Sequence, residues 1–449
     1  MTRNTSRLLG SAAASPSSYT LSECILTTSM GESFDLRGMV TNITITESIY
    51  MPSIDAELIV LDGVNLLEEL KINGDEKINL TIARISLDGK IREKHKHEFY
   101  IAEIVGYSRT NPGNASYMFR CVSKHAYVNN TKTLNRSVKG TIGSIIKTIC
   151  SKDLHIDSKN LDINTSTDRE ISAIIPKLRP IATISWLNEN AFTATSAPFY
   201  FYETLKSGVK YKSYDDFIAE DPKTEFKHTP VLKTTIGSDD YFTETAKRIR
   251  KLSSEFNLSK YISTSDGAFA ATTHSVDIAT KSHSSPQIFN FDKINTINSF
   301  KPYPDRKSNA QYGNSKINEL VTGKNYYINE NSLAYNDAYN YHNPTKTHIA
   351  RCQSYLSIED TISHDITVSG NFNLECGNIL DLKFNKTNMQ DNTSQPKDKM
   401  LSGNYLVTTI IHEFGDEYTQ KIEVKTNSFI SDLNDSMINE NDSSSREVT

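Results

Sequence analysis

Two His-Glu dipeptides, His97-Glu98 and His412-Glu413, are the most obvious candidates for chemistry in this chain. In a zinc hydrolase such a pair opens H-E-x-x-H on a helix. Two imidazoles one turn apart hold the metal, and the carboxylate activates water. Here the second imidazole position is Ile101 in one run and Asp416 in the other, so a ligand is missing both times. Both runs also fall in or beside hairpin-type sequence, where helical spacing is unavailable. His95 and His97 flank Lys96 in a charged stretch, for which a solvated turn is the expectation. No G-x-S-x-G nucleophile elbow, G-x-G-x-x-G turn or Walker lysine occurs. Carboxylates are plentiful enough for a paired-acid glycosidase, but no stretch marks a pocket that would shift their pKa values.

Other partner classes leave equally little trace. Net charge is -5, and the basic runs Arg92–His97 and Lys247–Lys251 are short, so no nucleic-acid stripe is present. The five cysteines Cys24, Cys121, Cys150, Cys352 and Cys376 are widely spaced without a C-x-x-C, which implies buried free thiols in a reducing compartment. No run approaches the ~18 apolar residues of a membrane span, and Met1–Ser18 is a poor signal peptide. The residues thus nominate no catalytic, cofactor-binding or metal position and no cofactor. The expectation is a protein that is not an enzyme.

The elements that would position any site are mostly strands. Ile78–Ile82, Phe99–Val105 and Tyr117–Val122 alternate apolar and polar residues, and so do Ile379–Phe384, Asn404–His412 and Gln420–Lys425. Each series follows a glycine, Gly74 or Gly377, and Tyr100 stands after the first at nearly the interval of Tyr405 after the second. Two similar small β-barrels in one chain account for this.

Taken in order, residues 1–19 read as a flexible arm and 20–128 as the first β-barrel. Within the barrel, Ile54–Leu61 is a strand that ends at the Asp62-Gly63 turn. Residues 129–215 change character to α/β. Thr141 caps a helix with Ile142, Ile145, Ile146, Ile149 and Cys150 on one face. Pro180 opens another helix, with Ile181, Ile184, Leu187 and Ala191 inward and Trp186 beside them. Phe199–Ser213 reads as a hairpin turning at Gly208. Residues 216–300 form a mixed region expected to supply strands to the second barrel, with a charged helix over 243–254 and a strand pair over 261–278. Residues 301–347 read as a polar surface excursion. Residues 348–430 read as the second barrel, starting with a helix that turns Ile349, Cys352, Tyr355 and Leu356 inward and including a mobile loop at 385–399. Residues 431–449 are Asp/Asn/Ser-rich, the composition of a disordered tail. The fold class expected is mainly β (α+β): two tube-protein-like barrels with an inserted α/β region and polar loops.

Several of these stretches resemble baseplate central hub proteins of contractile-tailed bacteriophages. They are Glu47-Ser-Ile-Tyr-Met-Pro52, Ala56-Glu-Leu-Ile-Val-Leu-Asp62, Asn65-Leu-Leu67 and Leu70–Leu80, then Arg179-Pro180, Trp186-Leu187, Phe199-Tyr-Phe-Tyr-Glu203, Lys212-Ser213 and Ser402–Thr408. Their order and spacing, from about residue 20 to 430, carry the likeness. The resemblance implies a homotrimer whose six barrels form a pseudo-sixfold ring. That ring would join the hexameric tail tube to a trimeric central spike, contact neighbouring baseplate wedge proteins and let DNA pass without specific binding. It also implies a place in the virion tail baseplate after synthesis in the host cytoplasm, with no membrane insertion. The chain shows neither a glycine-punctuated β-helix nor a lysozyme-like segment, so spike and wall degradation are expected in separate chains. The hub of a non-contractile phage and a tail-tip carbohydrate-active enzyme are the alternatives. Strand edges are the expected contact points, with no individual interface residue identified.

Overall fold

The computed structural model describes residues 16–85, 91–111, 113–164, 170–228, 239–257, 260–278, 281–283, 285–291, 299–301, 303–304, 311–316, 324–330, 345–385 and 397–430. Most of the expected arm, part of the 385–399 loop and the whole of 431–449 lie outside these residues. Ser17, at the end of the expected arm, is buried, and its carbonyl accepts the Tyr418 N–H at 2.9 Å.

The first half contains β1 (Tyr19–Thr27), β2 (Val40–Ser48), β3 (Asp55–Asp62), β4 (Lys77–Ile85), β5 (Ile91–Asn111) and β6 (Asn114–Ser123). Alternation decides which face is buried: β3 turns Ala56, Leu58 and Val60 inward and Ile59 and Leu61 outward. Helix α1 (Ile142–Lys152) is capped by Thr141, whose side chain accepts the Ser144 N–H at 3.3 Å, and it buries the expected isoleucine face. Helix α2 (Pro180–Asn188) begins at its proline and buries Ile184 and Leu187. The hairpin β7 (Phe199–Thr204) and β8 (Gly208–Ser213) pairs Phe199 with Ser213 and Thr204 with Gly208.

The second half contains β9 (Thr224–Lys227), β10 (Lys251–Phe256), β11 (Ala270–Asp277), β12 (Gln287–Asn290), β13 (Asn325–Glu330), α3 (Thr345–Ile358), β14 (Ile362–Ser369), β15 (Ile379–Lys383), β16 (Gly403–Phe414) and β17 (Tyr418–Thr426). Two sequence expectations need correction here. The helix expected over 243–254 is a shorter one, Asp239–Ala246, and Lys251 onward is strand because it pairs with β14. The strand pair over 261–278 is a helix, Lys260–Ser265, followed by β11. Strand β11 belongs to a separate sheet with β12 and β13 on which α3 packs; Ser354 Oγ donates to the Ala268 carbonyl at 2.6 Å. That contact turns Ala350, Ser354, Tyr355 and Ile358 inward and leaves Leu356 39% exposed. This sheet and α3 therefore form an insertion between β10 and β14.

Thirteen strands form one continuous sheet. Within it the chain is duplicated. The run β4–β5–β6–β3–β2 and the run β15–β16–β17–β14–β10 have the same antiparallel order. Both carry a one-residue bulge at the same point. Ile101 faces Cys121 and Glu103 faces Arg120, which leaves Ala102 over; Val407 faces Val424 and Thr409 faces Glu423, which leaves Thr408 over. Beside each bulge one backbone bond recurs: Ile101 N–H donates to the Glu76 carbonyl at 3.0 Å, and Val407 N–H to the Asn378 carbonyl at 2.9 Å. The sequence aligned Tyr100 with Tyr405. The structure moves the match by one residue, to Phe99, because Tyr405 is wholly buried whereas Tyr100 stacks outside on Tyr127 at 4.9 Å.

Each copy closes into a barrel in its own way. In the second, Lys227 N–H donates to the Lys247 carbonyl at 2.9 Å and Ile249 N–H to the Lys227 carbonyl at 3.0 Å, which joins β9 to the run-in of β10. In the first, β1 pairs with β4, and its open side meets the tip of the β16–β17 hairpin through Ser17 and Tyr418. The base of that hairpin buries Tyr405, Leu406 and Val407 in the second core. Its tip delivers Phe414 and Tyr418 to the first.

Candidate functional site: the seam between the barrels

The barrels meet where the outer half of β16 pairs with β2, from Thr409 opposite Ser48 to Phe414 opposite Ile43. Because β16 is long enough to serve both barrels, the seam is a hydrogen-bonded ladder, which resists hinging better than side-chain contact alone would. The ring stack Phe372–Tyr418–Phe414 fills the inner side, with centroids 4.8 and 4.3 Å apart, and His95 of β5 stacks on Phe372 at 4.6 Å.

Three buried carboxylates fasten the β7–β8 hairpin to this seam. Glu47 Oε2 accepts the Leu205 N–H at 2.8 Å, and Oε1 accepts the Cys376 N–H at 3.1 Å. Glu359 accepts the hydroxyls of Tyr50 at 2.5 Å and Tyr200 at 2.9 Å. Burial pushes the Glu359 carboxyl above its usual range, and the two hydroxyls oppose that. Glu375 accepts from Lys210 Nζ at 2.9 Å, Thr204 Oγ1 at 2.8 Å and Ser207 Oγ at 2.9 Å. Burial works against its charge, yet Lys210 and these hydroxyls hold it below the usual carboxylate range. The tyrosine-rich run Phe199–Glu203 thus works as an attachment strip. Tyr202 also packs so close to Gly377 (φ 85°) that any Cβ there would meet its hydroxyl.

The candidate chemistry resolves into the same packing. His97 and Glu98 are neighbours on a strand and so face opposite ways, as do His412 and Glu413. Glu98 pairs outside with Lys77 at 3.2 Å and Glu413 with Lys421 at 2.6 Å, while both imidazoles point into the first barrel. The solvated turn expected at His95–His97 is instead part of β5, and the alternation of Lys94, Lys96 and Glu98 with the histidines and Phe99 was its legible signal. Burial draws His97 down to about 4, helped by nearby His95 and His412. His412 Nδ1 lies 2.8 Å from the Tyr418 hydroxyl, and its Nε2 lies 3.7 Å from Glu47 Oε1. Among the described residues no cluster of three His, Cys, Asp or Glu could hold a metal ion.

One pair that sequence reasoning did not nominate is Ser196 Oγ with His348 Nδ1, 2.5 Å apart. Ser196 sits at φ 71° but is 0% exposed, so no substrate reaches its hydroxyl; the pair ties the α/β region to α3. With 152 positions between the two, no local motif could have announced it. Cys24, Cys150 and Cys352 are pushed up to about 12 by burial, which makes them inert thiols. Among the described residues no helix is long and apolar enough to cross a membrane.

No protein-family model and no curated protein matches the sequence. Solved structures do match. The tail protein from Neisseria meningitidis MC58 aligns over 91% of this chain and 96% of its own, with a TM-score of 0.50 and 8% identity. The 43 kDa tail protein of prophage MuSo2 from Shewanella oneidensis aligns over 90% of this chain and 97% of its own, with a TM-score of 0.50 and 11% identity. At these identities the likeness is one of fold: the chain has the fold of phage-type tail proteins along nearly its whole length.

Proposed function

We propose that this chain is a structural hub subunit of a phage-type tail baseplate, a symmetry adaptor between a sixfold tube and a threefold spike. The observation that carries the reading is the duplication itself. Two barrels with the same strand order and the same bulge stand side by side in one sheet, so three chains supply six near-equivalent units. A catalytic role has no support from the seam, where the buried carboxylates each bind backbone, hydroxyl or lysine partners of the chain itself.

In this reading the uncovered face of the sheet lines the channel for DNA. Several of its basic groups are matched by carboxylates: Arg120 with Glu57 at 3.3 Å, Lys421 with Glu413 at 2.6 Å and Lys425 with Glu423 at 3.5 Å. Asp365 adds a further carboxyl group to this face; burial, with Glu423 and Glu255 nearby, raises its pKa against the opposing pull of Lys425. A wall of that kind does not hold a polyanion. Light scattering of the purified chain, alone and with the neighbouring spike gene product, tests the adaptor. A mass near three times 50.4 kDa, or a threefold complex with the spike, supports it. A monomer indifferent to spike and tube proteins sinks it. The hub of a non-contractile phage is the second reading, which a sheath gene beside this one would eliminate.

A further inference from the structure

The duplication makes a statement about a surface the single chain leaves open. Matching the bulges sets Ile101 against Val407 and Glu103 against Thr409, so the half of β5 after its bulge corresponds to the half of β16 that pairs with β2. Matching outward through β3 and β14 sets Ala56 against His364 and Leu58 against Ile366. The same step sets Ile43, Ile45 and Glu47 of β2 against Leu252, Ser254 and Phe256 of β10. The seam inside the chain therefore has a counterpart built from β5 and β10. Within one chain these two strands are not neighbours.

Both edges are open among the described residues. Strand β4 pairs with β5 only as far as Tyr100, so beyond the bulge β5 is paired on its β6 side alone. Strand β10 is paired on its β14 side alone. Asn257 N–H donates to the Thr361 carbonyl at 3.0 Å, which places the peptide groups of Leu252, Ser254 and Phe256 at the free edge. Their counterparts in β2 are the ones that face β16, since Ile49 N–H donates to the Thr408 carbonyl at 2.9 Å. Large side chains stand uncovered at the same places: Phe256 is 49% exposed and Tyr107 is 50% exposed. A long open edge with an aromatic beside it recruits another strand.

We propose that the occupant is a second copy of this chain: β5 of one protomer adds antiparallel to β10 of the next, with Glu103, Ile104 and Val105 opposite Asn257, Phe256 and Glu255. The junction between copies then repeats the junction within each copy. Phe256 is covered by Ile104, and Tyr107 lies over the strand near Ser254. Such a contact joins two different surfaces head to tail, which generates a closed ring when the rotation closes. The proposal rests on the ring reading above and gives it residues.

The test is a cross-strand disulfide. Val105 and Glu255 form a non-hydrogen-bonded pair in this register, the geometry with the closest Cβ atoms. The double variant Val105→Cys/Glu255→Cys, oxidised in the assembled state, is expected to run as covalent dimers and trimers without reductant. The single variants and Val105→Cys/Lys421→Cys are expected to remain single chains. Phe256→Asp is expected to abolish assembly while leaving the far-ultraviolet circular dichroism of the chain unchanged. A threefold mass with the cross-link supports the junction. A threefold mass without it, or assembly unaffected by Phe256→Asp, overturns the junction and leaves the ring standing. A monomer in every preparation overturns both.

Discussion

Glu47 and Cys376 hold each other from opposite barrels: the carboxylate of Glu47 accepts the Cys376 N–H at 3.1 Å, and the Cys376 thiol donates to the Glu47 carbonyl at 3.2 Å. Both residues are wholly buried, so neither bond can be replaced by water. Glu47→Ala leaves the Leu205 and Cys376 amides without an acceptor, and it is expected to lower stability by ~2–4 kcal/mol. Urea denaturation measures the loss; Glu47→Gln, which keeps one acceptor oxygen, should lose less.

The first barrel takes Phe372, Phe414 and Tyr418 of its core from the far end of the chain. A fragment spanning 16–128 is therefore expected to stay loosely packed, with strand content but without slow-exchanging amides. Hydrogen exchange measures this. Full protection in the fragment would show that the hairpin tip is dispensable. Phe414→Ala in the whole chain should cost ~3–5 kcal/mol.

Two buried imidazoles make the fold acid-sensitive. Burial draws His97 and His364 to about 4, helped by His95 and His412 at the first and by Lys301 at the second. An unfolded histidine titrates near ~6.5. Between that value and 4 the unfolded chain binds protons that the folded chain refuses, so stability falls as pH drops through this window and levels off below it. Denaturation midpoints at pH 7 and pH 5 are expected to differ less in His97→Gln and His364→Gln than in the parent.

Lys301 is the reverse opportunity. It is 4% exposed, its Nζ lies over the Tyr405 ring at 4.0 Å, and burial lowers it to about 7, helped by Lys397. From ~10 down to 7 the unfolded lysine is charged and the folded one is not, so stability declines as pH is lowered across that range. Lys301→Met, which keeps the length of the stem, is expected to leave stability the same or raise it by ~1–3 kcal/mol at pH 7. It should also flatten the dependence above pH 7, as thermal melts at pH 7, 8 and 9 would show.

Much of this was legible in the sequence because strand period reports the buried face directly. Ala56, Leu58 and Val60 announce β3, and the Thr141 cap with its isoleucine face announces α1. Register is a different matter. Phe99 and Tyr100 are both aromatic, so alternation alone does not say which of them corresponds to Tyr405; only the bulge beyond them decides. Lys251–Phe256 carries too few apolar residues to declare itself a strand, and β14, its partner, lies on the far side of a long insertion. The seam was invisible for the same reason. Glu47, Leu205, Glu359 and Cys376 come together from distant stretches, and a buried glutamate looks in sequence like any surface one.

The hairpin shared by the two barrels also sets an order of events at the ribosome. Strand β10 emerges well before β14, which is needed to cover it, and the first barrel waits open for Phe414 and Tyr418. Neither barrel closes until the last strands of the sheet are made. The contacts that close both barrels therefore wait for β16 and β17, which predicts slow final closure and a period in which open strand edges need protection.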